Sequence, residues 1–558
     1  MKRIIVIGGL SAGPSAAAKA RRENEHAEII LFEKGANISY ATCGMPYAFS
    51  GVIESRDNLL VVKPALLKHR FNIDVRLNEE IIKIDTTQKI VYTNSDAYRY
   101  DTLVFATGAS SVVPPVENIK FAHSWSTCRS MVDFDKITKE GLTSTSKHIT
   151  VVGAGLIGVE VAENLSEIGK KVTLIEGSSH VLNMWDKKFA KFAEDVLVSN
   201  GVDVLSNTFV NKFDIDKDGK ILAVITSDGK RIPTDFVILS AGIKPNTQML
   251  IDEGAEAIEN GALRVDEFME TSIKDVYAAG DNISIRNLQT NQEDYFPLGT
   301  HSNKAGRAAG SNATDGQITF KGAYKTAIVK VFDYTLARTG MNATALTKNG
   351  IDFQSVLIVA GSTPSYYPGQ KDLIIELYYD SKTEEILGAE LFGEYGVDKR
   401  VDVLSTAIYG KLKVTDLQRL DLAYAPPFSP AKDPVVVAGF VTENILHGKS
   451  EQISVEALEA YMANTPKENY VLLDVRNEGE FNNGTIPGAV NYPLDTLREH
   501  IDSVLAQEKK IVVFCQKGLR GYLAELILRH NGVTDIVNVG GGFKIWSMYS
   551  DQIEYPRA

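Results

Sequence analysis

Cys43 stands in a setting that favours redox chemistry by a thiol. In the surrounding segment 39–47, Gly44 lets a backbone or a flat ring come close, and Pro46 fixes the direction of the chain. The neighbouring Thr42 supplies a hydroxyl that can hydrogen-bond a partner. The alternative is a small buried hydrophobic residue, which is what most free cysteines are. We interpret Cys43 as the reacting thiol of the protein.

Cys515 has a second setting of this kind. The apolar run 511–514 predicts a strand, and the residues that follow, through Lys517 to Arg520, lead into a helix. A cysteine at such a strand end, wrapped by successive backbone N–H groups at a helix N-terminus, is a stabilised thiolate or persulfide. Lys517 and Arg520 add positive charge. The alternative is a catalytically inactive module.

The third cysteine of the chain is Cys128. No CxxC pair and no disulfide framework occur in the sequence, as expected of a reducing compartment. The oxidised partner of Cys43 is therefore either a distant cysteine or a thiol brought by a small molecule, and the second hypothesis is simpler.

Length and composition describe an ordinary globular protein. The 558 residues, 44% hydrophobic and 23% charged, predict three or four domains with a sizeable core. No window approaches the roughly 18 consecutive apolar residues of a membrane span, and the apolar residues 4–7 run into two glycines, unlike a signal peptide. A net charge of −12 without a basic cluster argues against nucleic acid. We expect a cytoplasmic protein that binds neither membrane nor nucleic acid.

A glycine-rich turn near the N-terminus predicts a dinucleotide-binding unit. The pattern gives a strand at 3–7, a turn at 8–13, a helix at 14–22 and a strand at 28–32 that ends at Glu33. Glycines let a pyrophosphate approach the helix N-terminus, and an acidic residue about 20 positions on holds a ribose hydroxyl. Leu10 replaces the middle glycine, and the alternative is a glycine-rich turn without a nucleotide.

A second and cleaner copy of this unit follows. Its parts are a strand at 149–152, a glycine loop (Gly153, Gly155 and Gly158), a helix at 159–168 and a strand at 172–175. The last strand ends at Glu176, which puts a carboxylate without an adjacent arginine where a 2′-phosphate would sit. Two fingerprints predict two dinucleotides, and Glu176 favours NADH over NADPH.

Two further segments complete a pattern that resembles a known family. The segment 103–108 closes a strand on a small turn, and the segment 271–281 ends in Asp281, whose carboxylate can hold a ribityl hydroxyl. These pieces, in this order, resemble the pyridine nucleotide-disulphide oxidoreductases. The resemblance implies an α/β protein with two Rossmann-like domains. The first would bind FAD, the inserted second would bind the nicotinamide nucleotide, and the two rings would meet.

The Cys43 segment resembles the single-cysteine branch of this family, which holds coenzyme A-disulfide reductases, NADH oxidases and NADH peroxidases. The resemblance implies that oxidases and peroxidases carry a histidine in the first glycine turn, where this chain has Ser11. This difference favours a coenzyme A reductase. Thr42 departs from the asparagine usual in that group, and its hydroxyl could replace the hydrogen bond to pantetheine.

The same resemblance implies the residues that contact the cofactors. Coenzyme A would be held by Arg22, Ser39, Asn303 and Arg307, although the arginines also fit ordinary solvated helix positions. The contacts to FAD and to the nicotinamide nucleotide would be Gly8, Gly9, Ala12, Gly13, Glu33, Lys34, Thr107, Gly108, Gly280, Asp281, Leu298, Gly153, Gly155, Ile157, Gly158, Glu160, Glu176 and Gly242.

The pattern changes from about residue 322 to residue 446, with strands at 372–379 and 386–391 and a helix across 400–410. In the resembled family this region is an α+β dimerisation domain. Tyrosines there lie across the dimer interface beside the partner's cysteine, where a phenol can donate a proton or hydrogen-bond a thiolate. Tyr366 and Tyr424 match these catalytic positions. Tyr367 is the alternative to Tyr366, and an ordinary interface residue is the alternative role.

The chain after a short polar connector resembles a rhodanese domain. The signals are the segments 471–476, 486–489 and 539–543, together with Trp546. Four residues separate Cys515 from Arg520, as in sulfurtransferases, whereas the related phosphatases have one more. The resemblance implies that Cys515 collects sulfane sulfur.

These observations predict the organisation of the whole chain. The predicted domains are an FAD-binding domain (1–114 and 248–321), an NAD(P)H-binding domain (115–247), a dimerisation domain (322–446), a linker (447–454) and an α/β rhodanese domain (455–558). The predicted homodimer reduces coenzyme A persulfide, polysulfide or coenzyme A disulfide with NADH through Cys43, with sulfane sulfur supplied through Cys515. The alternatives are an NADH oxidase and a non-enzymatic sulfur carrier or polysulfide sensor with a structural flavin. No metal site is predicted.

Overall fold

The computed structural model describes residues 1–506 and 508–556. Their contacts divide the chain into two compact units. Residues 1–182 and 197–325 form the first unit, and residues 183–196 together with those from 326 onward form the second. The helix Lys187–Ser199 contributes residues to both. Among the described residues, no helix is long and apolar enough to cross a membrane.

A five-stranded parallel sheet forms the core of the N-terminal part of the first unit. Its central strand Arg3–Ile7 contains Ile4, Ile5 and Val6, which have no exposed surface, as expected of a parallel strand covered on both faces. The strand order is Val276–Ala278, Thr102–Phe105, Arg3–Ile7, Glu28–Glu33 and Asp74–Leu77.

A second five-stranded parallel sheet repeats this arrangement around the strand His148–Val152. Its register sets Val151 opposite Leu174 on one side and Ile238 on the other, so the apolar runs meet. The strand order is Val202–Leu205, Lys171–Ile175, His148–Val152, Phe236–Leu239 and Trp125–Thr127.

The helix after each glycine turn starts earlier than the sequence pattern predicts. The first spans Ala12–Glu23 instead of 14–22, because Pro14 is tolerated in a first turn, where the N–H that it lacks would have no helical partner. The second spans Leu156–Glu167 instead of 159–168. Both helices therefore begin at the glycine turn itself and direct their N-termini towards the place where a pyrophosphate would bind.

Smaller elements complete the first unit. The remaining strands are Lys83–Asp85, Ile90–Tyr92, Ala97–Arg99, Ala109–Ser111, Val210–Ile215, Ile221–Thr226, Arg231–Pro233, Ile243–Pro245, Ile285–Arg286 and Glu293–Asp294. The remaining α-helices are Met45–Phe49, Pro64–Phe71, Met131–Lys136, Gln248–Ile251 and Gly299–Asn312. Short turns of 3-10 helix span Thr42–Gly44 and Arg56–Leu59, and a π-helical turn spans Ile137–Gly141.

The second unit contains an antiparallel sheet, in agreement with the strands predicted at 372–379 and 386–391. Its strand order is Ala327–Val331, Tyr334–Gly340, Ile386–Gly393, Asp372–Asp380 and Phe353–Gly361. The predicted helix 400–410 starts at Val397, directly after the left-handed Gly396. The other helices are Ala343–Lys348 and Pro434–Leu446, with a 3-10 turn at Val414–Arg419.

A second sheet of this unit is parallel and carries Cys515 at the end of its central strand Lys510–Phe514. The strand order is Gln452–Ile453, Ile536–Val539, Lys510–Phe514, Tyr470–Asp474 and Val490–Asn491. The helices are Val455–Asn464, Glu478–Asn482, Ile501–Leu505, Leu519–His530 and Gly542–Tyr549, with 3-10 turns at Lys467–Asn469 and Leu497–His500.

The predicted connector 447–454 is partly built into this parallel sheet. Gln452 and Ile453 pair with Asn538 and Val539 as an edge strand. The Gln452 side chain also reaches the antiparallel sheet, where its oxygen accepts the backbone N–H of Leu357 at 2.8 Å and its amide donates to the Leu357 carbonyl at 3.0 Å. Only the first residues of the connector therefore link the two sheets without joining either.

Candidate functional site

The first glycine turn leaves space only for hydrogen where the chain must approach itself. Gly8 has φ of +105°, and a Cβ atom there would lie 2.1 Å from the carbonyl oxygen of Ala106. A Cβ atom at Gly13 would lie 1.9 Å from the Gly8 carbonyl oxygen. The carboxylate of Glu33 accepts the backbone N–H groups of Gly9 at 2.8 Å and Gly35 at 2.7 Å. The turn thus holds an acidic side chain beside a tight backbone cradle, as a dinucleotide needs.

The second glycine turn has the same construction. Cβ atoms at Gly153 and Gly158 would lie 2.5 and 1.9 Å from carbonyl oxygens, whereas Gly155 faces open space. Glu176 accepts the N–H groups of Ala154 and Ser178, both at 2.7 Å. Ile157 lies in the first turn of the helix Leu156–Glu167, and Gly242 follows the neighbouring strand with φ of +99°. The open side at Gly155 fits the pyrophosphate of a second nucleotide.

A cavity of about 430 Å³ opens at the first glycine turn. It continues in the same region as a cavity of about 680 Å³ that shares Glu33, Lys34 and Thr107. These volumes and the glycine cradle fit a ligand as long as FAD. The predicted residues that line the first cavity are Gly8, Gly9, Ala12, Glu33, Lys34, Thr107, Gly108, Gly280 and Asp281. Gly13 and Leu298 are not in its lining, and Leu298 directly precedes the helix Gly299–Asn312.

Arg129 is a lining residue that the sequence analysis missed. It donates to the carboxylate of Asp281 at 2.6 Å and to the carbonyl of Ala109 at 2.7 Å. Asp281 also accepts the Ser302 hydroxyl at 3.0 Å. Protein groups therefore already hydrogen-bond the carboxylate that is predicted to hold a ribityl hydroxyl. The available signal was an arginine between the strand Trp125–Thr127 and the capping box that starts at Ser130.

Cys43 lies in the 3-10 turn Thr42–Gly44, directly before the helix Met45–Phe49, and its side chain is exposed. This exposure rules out the alternative of a small buried hydrophobic residue. A Cβ atom at Gly44 would lie 2.9 Å from the Leu59 side chain, so a larger residue there would require that side chain to shift. The hydroxyl of Thr42 lies 4.0 Å from the Cys43 sulfur, close enough for a weak hydrogen bond.

The helix that follows Cys43 packs on the helix that follows the second glycine turn. The Tyr47 hydroxyl donates to Glu160 at 3.2 Å, and the Ser50 hydroxyl donates to Asn164 at 2.6 Å. Burial, with the nearby Glu163, raises the pKa of Glu160 to about 7. Burial next to Glu160 also raises the pKa of Tyr47. The contact links the thiol segment directly to the second dinucleotide unit predicted from the sequence, and the sequence analysis had placed only Glu160 in the site.

The predicted coenzyme A contacts lie on two helices that pack closely. Gly306 permits the approach, because a Cβ atom there would lie 2.5 Å from the carbonyl oxygen of Ala12. The Ser15 hydroxyl donates to the Asn303 side chain at 2.8 Å and so joins the two helices. Arg22, Asn303 and Arg307 are exposed on these helices. Lys19, one turn before Arg22 and paired with Glu23, is a further cation on this surface that the sequence analysis missed.

Ser39 directly precedes Tyr40, which lines the cavity at the first glycine turn. Its φ of +44° is unusual for a residue other than glycine. Its backbone N–H donates to the Gly9 carbonyl at 2.8 Å, and its carbonyl accepts the Val61 N–H at 2.9 Å. The backbone of Ser39 therefore fastens the Cys43 segment to the first glycine turn.

Tyr366 and Tyr424 are brought together in the second unit. Their hydroxyl oxygens lie 3.2 Å apart, and their side chains remain 71% and 51% exposed. The hydrogen bond between the two hydroxyls raises the pKa of Tyr366. Tyr367 is only half-buried and has no part in this hydrogen bond. Two exposed phenols joined by a hydrogen bond suit a surface where a partner supplies the rest of a site.

Cys515 is buried, and its sulfur accepts the backbone N–H of Gly518 at 3.1 Å. Gly518 has φ of +119°, which brings its N–H back towards the sulfur. A Cβ atom at Gly542 would lie 2.2 Å from the Cys515 carbonyl oxygen. Glycine at position 542 therefore allows its segment to pack against the Cys515 loop. The Gly518 N–H group can stabilise a thiolate or persulfide at Cys515, which is the role that the sequence predicts for this loop.

The positive charges predicted beside Cys515 are paired with carboxylates. Arg520 forms two hydrogen bonds to Glu480, at 2.7 and 2.8 Å, and Lys517 pairs with Asp372 at 2.6 Å. Glu480 contributes to the resemblance to a rhodanese domain, but the sequence analysis gave it no role at the site. Its signal was the capping box that starts at Asn477, which fixes a glutamate at the beginning of the helix Glu478–Asn482.

Cys43, the two glycine turns and the predicted coenzyme A residues belong to the first unit, and Cys515, Tyr366 and Tyr424 belong to the second. Within residues 1–506 and 508–556, the three cysteines are free and no cluster of ligands suited to a metal ion occurs.

Three family models match consecutive parts of the chain. Residues 2–294 match the pyridine nucleotide-disulphide oxidoreductases, residues 326–434 match the dimerisation domain of the same family, and residues 455–549 match the rhodanese-like domain. Together with the two parallel Rossmann-like sheets, the antiparallel sheet and the C-terminal parallel sheet, these matches confirm the predicted fold class.

Relatives and a solved structure agree with these matches. The NAD(P)H coenzyme A polysulfide/persulfide reductase of Pyrococcus horikoshii is 32% identical over 439 residues, which cover 78% of this chain and 97% of that protein. An NADH oxidase of Enterococcus faecalis is 30% identical over 437 residues, 76% of this chain and 96% of that protein. The crystal structure of reduced CoADR-RHD from Bacillus anthracis has 35% identity and a TM-score of 0.93, and the alignment covers 99% of both chains.

Proposed function

This chain belongs to the pyridine nucleotide-disulphide oxidoreductases, and from that premise we propose that it uses NADH to reduce coenzyme A persulfide, polysulfide or coenzyme A disulfide through Cys43. The observation that carries the proposal is the exposed Cys43 at the start of a helix that packs on the nicotinamide-binding unit. Its segment also supplies Tyr40 to the cavity at the first glycine turn. A thiol in this place can meet a substrate from solvent beside both dinucleotide sites.

The residues of the two glycine turns would hold the cofactors. FAD, when bound, supplies the transfer of an electron pair from NADH to a disulfide. The cradle at Gly8 and Gly13, with Glu33 for a ribose, fits FAD, and the cradle at Gly153 and Gly158 fits the nicotinamide nucleotide. Glu176 would accept the 2′-hydroxyl of NADH and repel the 2′-phosphate of NADPH. The open surface at Gly155 leaves room for the pyrophosphate.

Cys43 performs the substrate step as a thiolate. It attacks the sulfur of a coenzyme A persulfide that is bonded to the coenzyme. The S–S bond of the persulfide breaks, hydrosulfide leaves with the electron pair, and Cys43 forms a mixed disulfide with coenzyme A. Two electrons and a proton then regenerate the thiolate and release coenzyme A. In total, NADH and coenzyme A persulfide give NAD⁺, coenzyme A and hydrosulfide.

The rhodanese domain would supply sulfane sulfur to this cycle. Its Cys515 loop can stabilise a persulfide through backbone N–H groups. The outer sulfur would pass from Cys515 to a coenzyme A thiolate, giving the coenzyme A persulfide that Cys43 consumes. The pantetheine arm, on the order of 15–20 Å long, is a flexible tether that raises the effective concentration of the carrier. Arg22, Ser39, Asn303 and Arg307 would hold the nucleotide end of the coenzyme.

The proposed active assembly is a cytoplasmic homodimer. The dimerisation domain at 326–434 supports the dimer, and the hydrogen-bonded pair of exposed phenols, Tyr366 and Tyr424, would complete the Cys43 site of the other subunit as proton donors. The free cysteines suit a reducing compartment. The proposed domain limits are those predicted from the sequence, except that the rhodanese domain would begin at its edge strand Gln452–Ile453.

Anaerobic turnover tests the proposal. The purified holoenzyme, mixed with NADH and coenzyme A persulfide without oxygen, is expected to release one hydrosulfide for each NADH oxidised. Mass spectrometry of the Cys43 peptide should show coenzyme A bound before reduction and absent after it. Oxidation of NADH that requires oxygen would support an NADH oxidase instead. Absence of steady turnover under both conditions would support a sulfur carrier or polysulfide sensor with a structural flavin.

A further inference from the structure

The guanidinium group of Arg520, in the helix after Cys515, forms two hydrogen bonds to one carboxylate. Arg520 donates from its two Nη atoms to the two oxygens of Glu480 at 2.8 and 2.7 Å. Glu480 is fixed in turn, because its Oε2 accepts the backbone N–H of Asn477 at 3.2 Å and the Asn477 side chain accepts the backbone N–H of Glu480 at 2.8 Å. The hydrogen bonds from Arg520 lower the pKa of Glu480, which therefore stays charged.

Two further cations at the loop are paired as well. Arg476 is buried and donates to Asp474 from Nε at 3.0 Å and from Nη2 at 2.7 Å. Lys517, inside the loop, pairs with Asp372 at 2.6 Å. The Gly518 N–H group, in contrast, points at the Cys515 sulfur. The donor to the sulfur is therefore a neutral backbone N–H group, whereas these three positive charges are already paired with carboxylates.

We propose that Glu480 determines which sulfur donor Cys515 accepts, because it neutralises Arg520 and so disfavours dianionic donors such as thiosulfate relative to protonated alkyl persulfides. The inference rests on the proposed role of Cys515 as sulfur acceptor. A thiosulfate dianion must displace Glu480 from a bidentate charge-assisted pair or approach against its negative charge. A protonated persulfide carries no charge at its reacting end, and backbone N–H groups suffice for it.

The two donors react by balanced steps that differ in the leaving group. With a persulfide R–S–SH, the Cys515 thiolate attacks the terminal sulfur, the S–S bond of the persulfide breaks, and the thiolate R–S⁻ leaves with the electron pair. With thiosulfate, the thiolate attacks the outer sulfur and sulfite leaves with the electron pair. Each step leaves a persulfide on Cys515, and cyanide can remove its outer sulfur as thiocyanate. The oxyanion charge is present only in the thiosulfate step.

Donor preference of the full-length holoenzyme tests this proposal. Thiocyanate formation is measured with thiosulfate and with a low-molecular-weight persulfide, above the rate of the Cys515→Ser protein. Glu480→Gln is expected to lower KM for thiosulfate about tenfold, because the Arg520 guanidinium loses its charged partner and can bind the anion. The value of kcat/KM for the persulfide is expected to change by less than about twofold. The matched control is Glu478→Gln, in the same helical turn, which should change neither value. Glu480→Asp keeps the charge and should not lower KM for thiosulfate.

Other outcomes would overturn the proposal. Equal changes for both donors in Glu480→Gln would give Glu480 a structural role only, and thermal unfolding followed by circular dichroism reports whether each variant is folded. Lys544 lines a cavity of about 380 Å³ with Lys517. A KM for thiosulfate that responds to Lys544→Gln and not to Glu480→Gln would assign anion recognition to that cavity. If the Cys515→Ser protein formed thiocyanate as fast as the wild type, the proposed role of Cys515 would fail, and this inference with it.

Discussion

The Tyr47 hydroxyl donates a hydrogen bond to the Glu160 carboxylate across 3.2 Å, and this bond joins the helix that carries the thiol segment to the helix of the second glycine turn. Burial raises the pKa of this carboxyl group to about 7, from a usual value of 4.5. The folded protein therefore keeps a proton on Glu160 at pH values where the unfolded chain has released it.

The stability of the holoenzyme should depend on pH through Glu160. A carboxyl group whose pKa is raised on folding contributes stability that is present below its usual pKa and is lost as the pH rises through about 7. Glu160→Gln removes this titration and retains an oxygen acceptor for Tyr47. The melting temperature of the variant minus that of the wild type should therefore increase between about pH 5 and about pH 8. A difference in melting temperature that stays constant over this pH range would contradict the account.

The cofactor preference should depend on Glu176. Its carboxylate is fixed by two backbone N–H groups at 2.7 Å, so it cannot turn away from a 2′-phosphate without losing both hydrogen bonds. We expect a higher kcat/KM for NADH than for NADPH. Glu176→Gln should reduce that ratio about tenfold, as expected for one unfavourable charge pair on the order of 1.4 kcal/mol. A wild-type preference for NADPH would show that residues distant in sequence bind the 2′-phosphate.

The hydrogen-bonded tyrosines should act on the Cys43 of the other subunit. The double variant Tyr366→Phe, Tyr424→Phe should lose about 100-fold in turnover, the order expected for loss of a proton donor. Cys43→Ser should be inactive as a homodimer. Mixed after reversible dissociation, the two proteins should regain activity, because each heterodimer has one site with an intact cysteine and intact tyrosines. Heterodimers that form without any gain would place the tyrosines outside the Cys43 site.

Lys188 should stabilise the second unit strongly. Its ammonium group is almost fully buried and pairs with Glu376 at 2.8 Å and Glu456 at 2.9 Å. Burial alone would lower the pKa of Lys188, but the two carboxylates outweigh it and raise the pKa. Lys188→Met leaves the buried Glu376 without its cation and should cost about 3–5 kcal/mol in the free energy of unfolding. Lys187→Met, at the exposed neighbouring position, should cost less than about 0.5 kcal/mol in denaturant unfolding. Similar midpoints for both variants would contradict this assignment.

The parts of the fold that local sequence determines were predictable. Gly8, Gly13, Gly153 and Gly158 each lie where a side chain would strike the backbone, so the spacing of these glycines fixes the turn that they form. The same holds for the loop after Cys515, where Gly518 must adopt a positive φ. Local patterns therefore located both glycine turns with their flanking strands and helices, and the loop that joins the strand before Cys515 to the helix after it.

The missing parts depend on pairs that are distant in sequence. Arg129 meets Asp281 across 152 positions, Glu480 meets Arg520 across 40, and Lys188 joins Glu376 and Glu456. No periodicity or turn chemistry marks such partners, because only the folded chain brings them together. The start of the first helix was also misplaced, since the rule against proline in a helix does not apply in its first turn, where Pro14 lies.

Hydrosulfide release by Cys43→Ser tests the central claim most directly. The variant is mixed anaerobically with NADH and coenzyme A persulfide, while the flavin absorbance is followed in the same sample. We predict that FAD stays bound and is reduced by NADH, and that hydrosulfide release falls below about 1% of the wild-type rate, because the attacking thiolate is gone. Cys128→Ser, which removes a buried thiol whose pKa is raised to about 12, should retain the wild-type rate. Hydrosulfide release by Cys43→Ser at more than a trace would contradict the assignment of Cys43 as the reacting thiol.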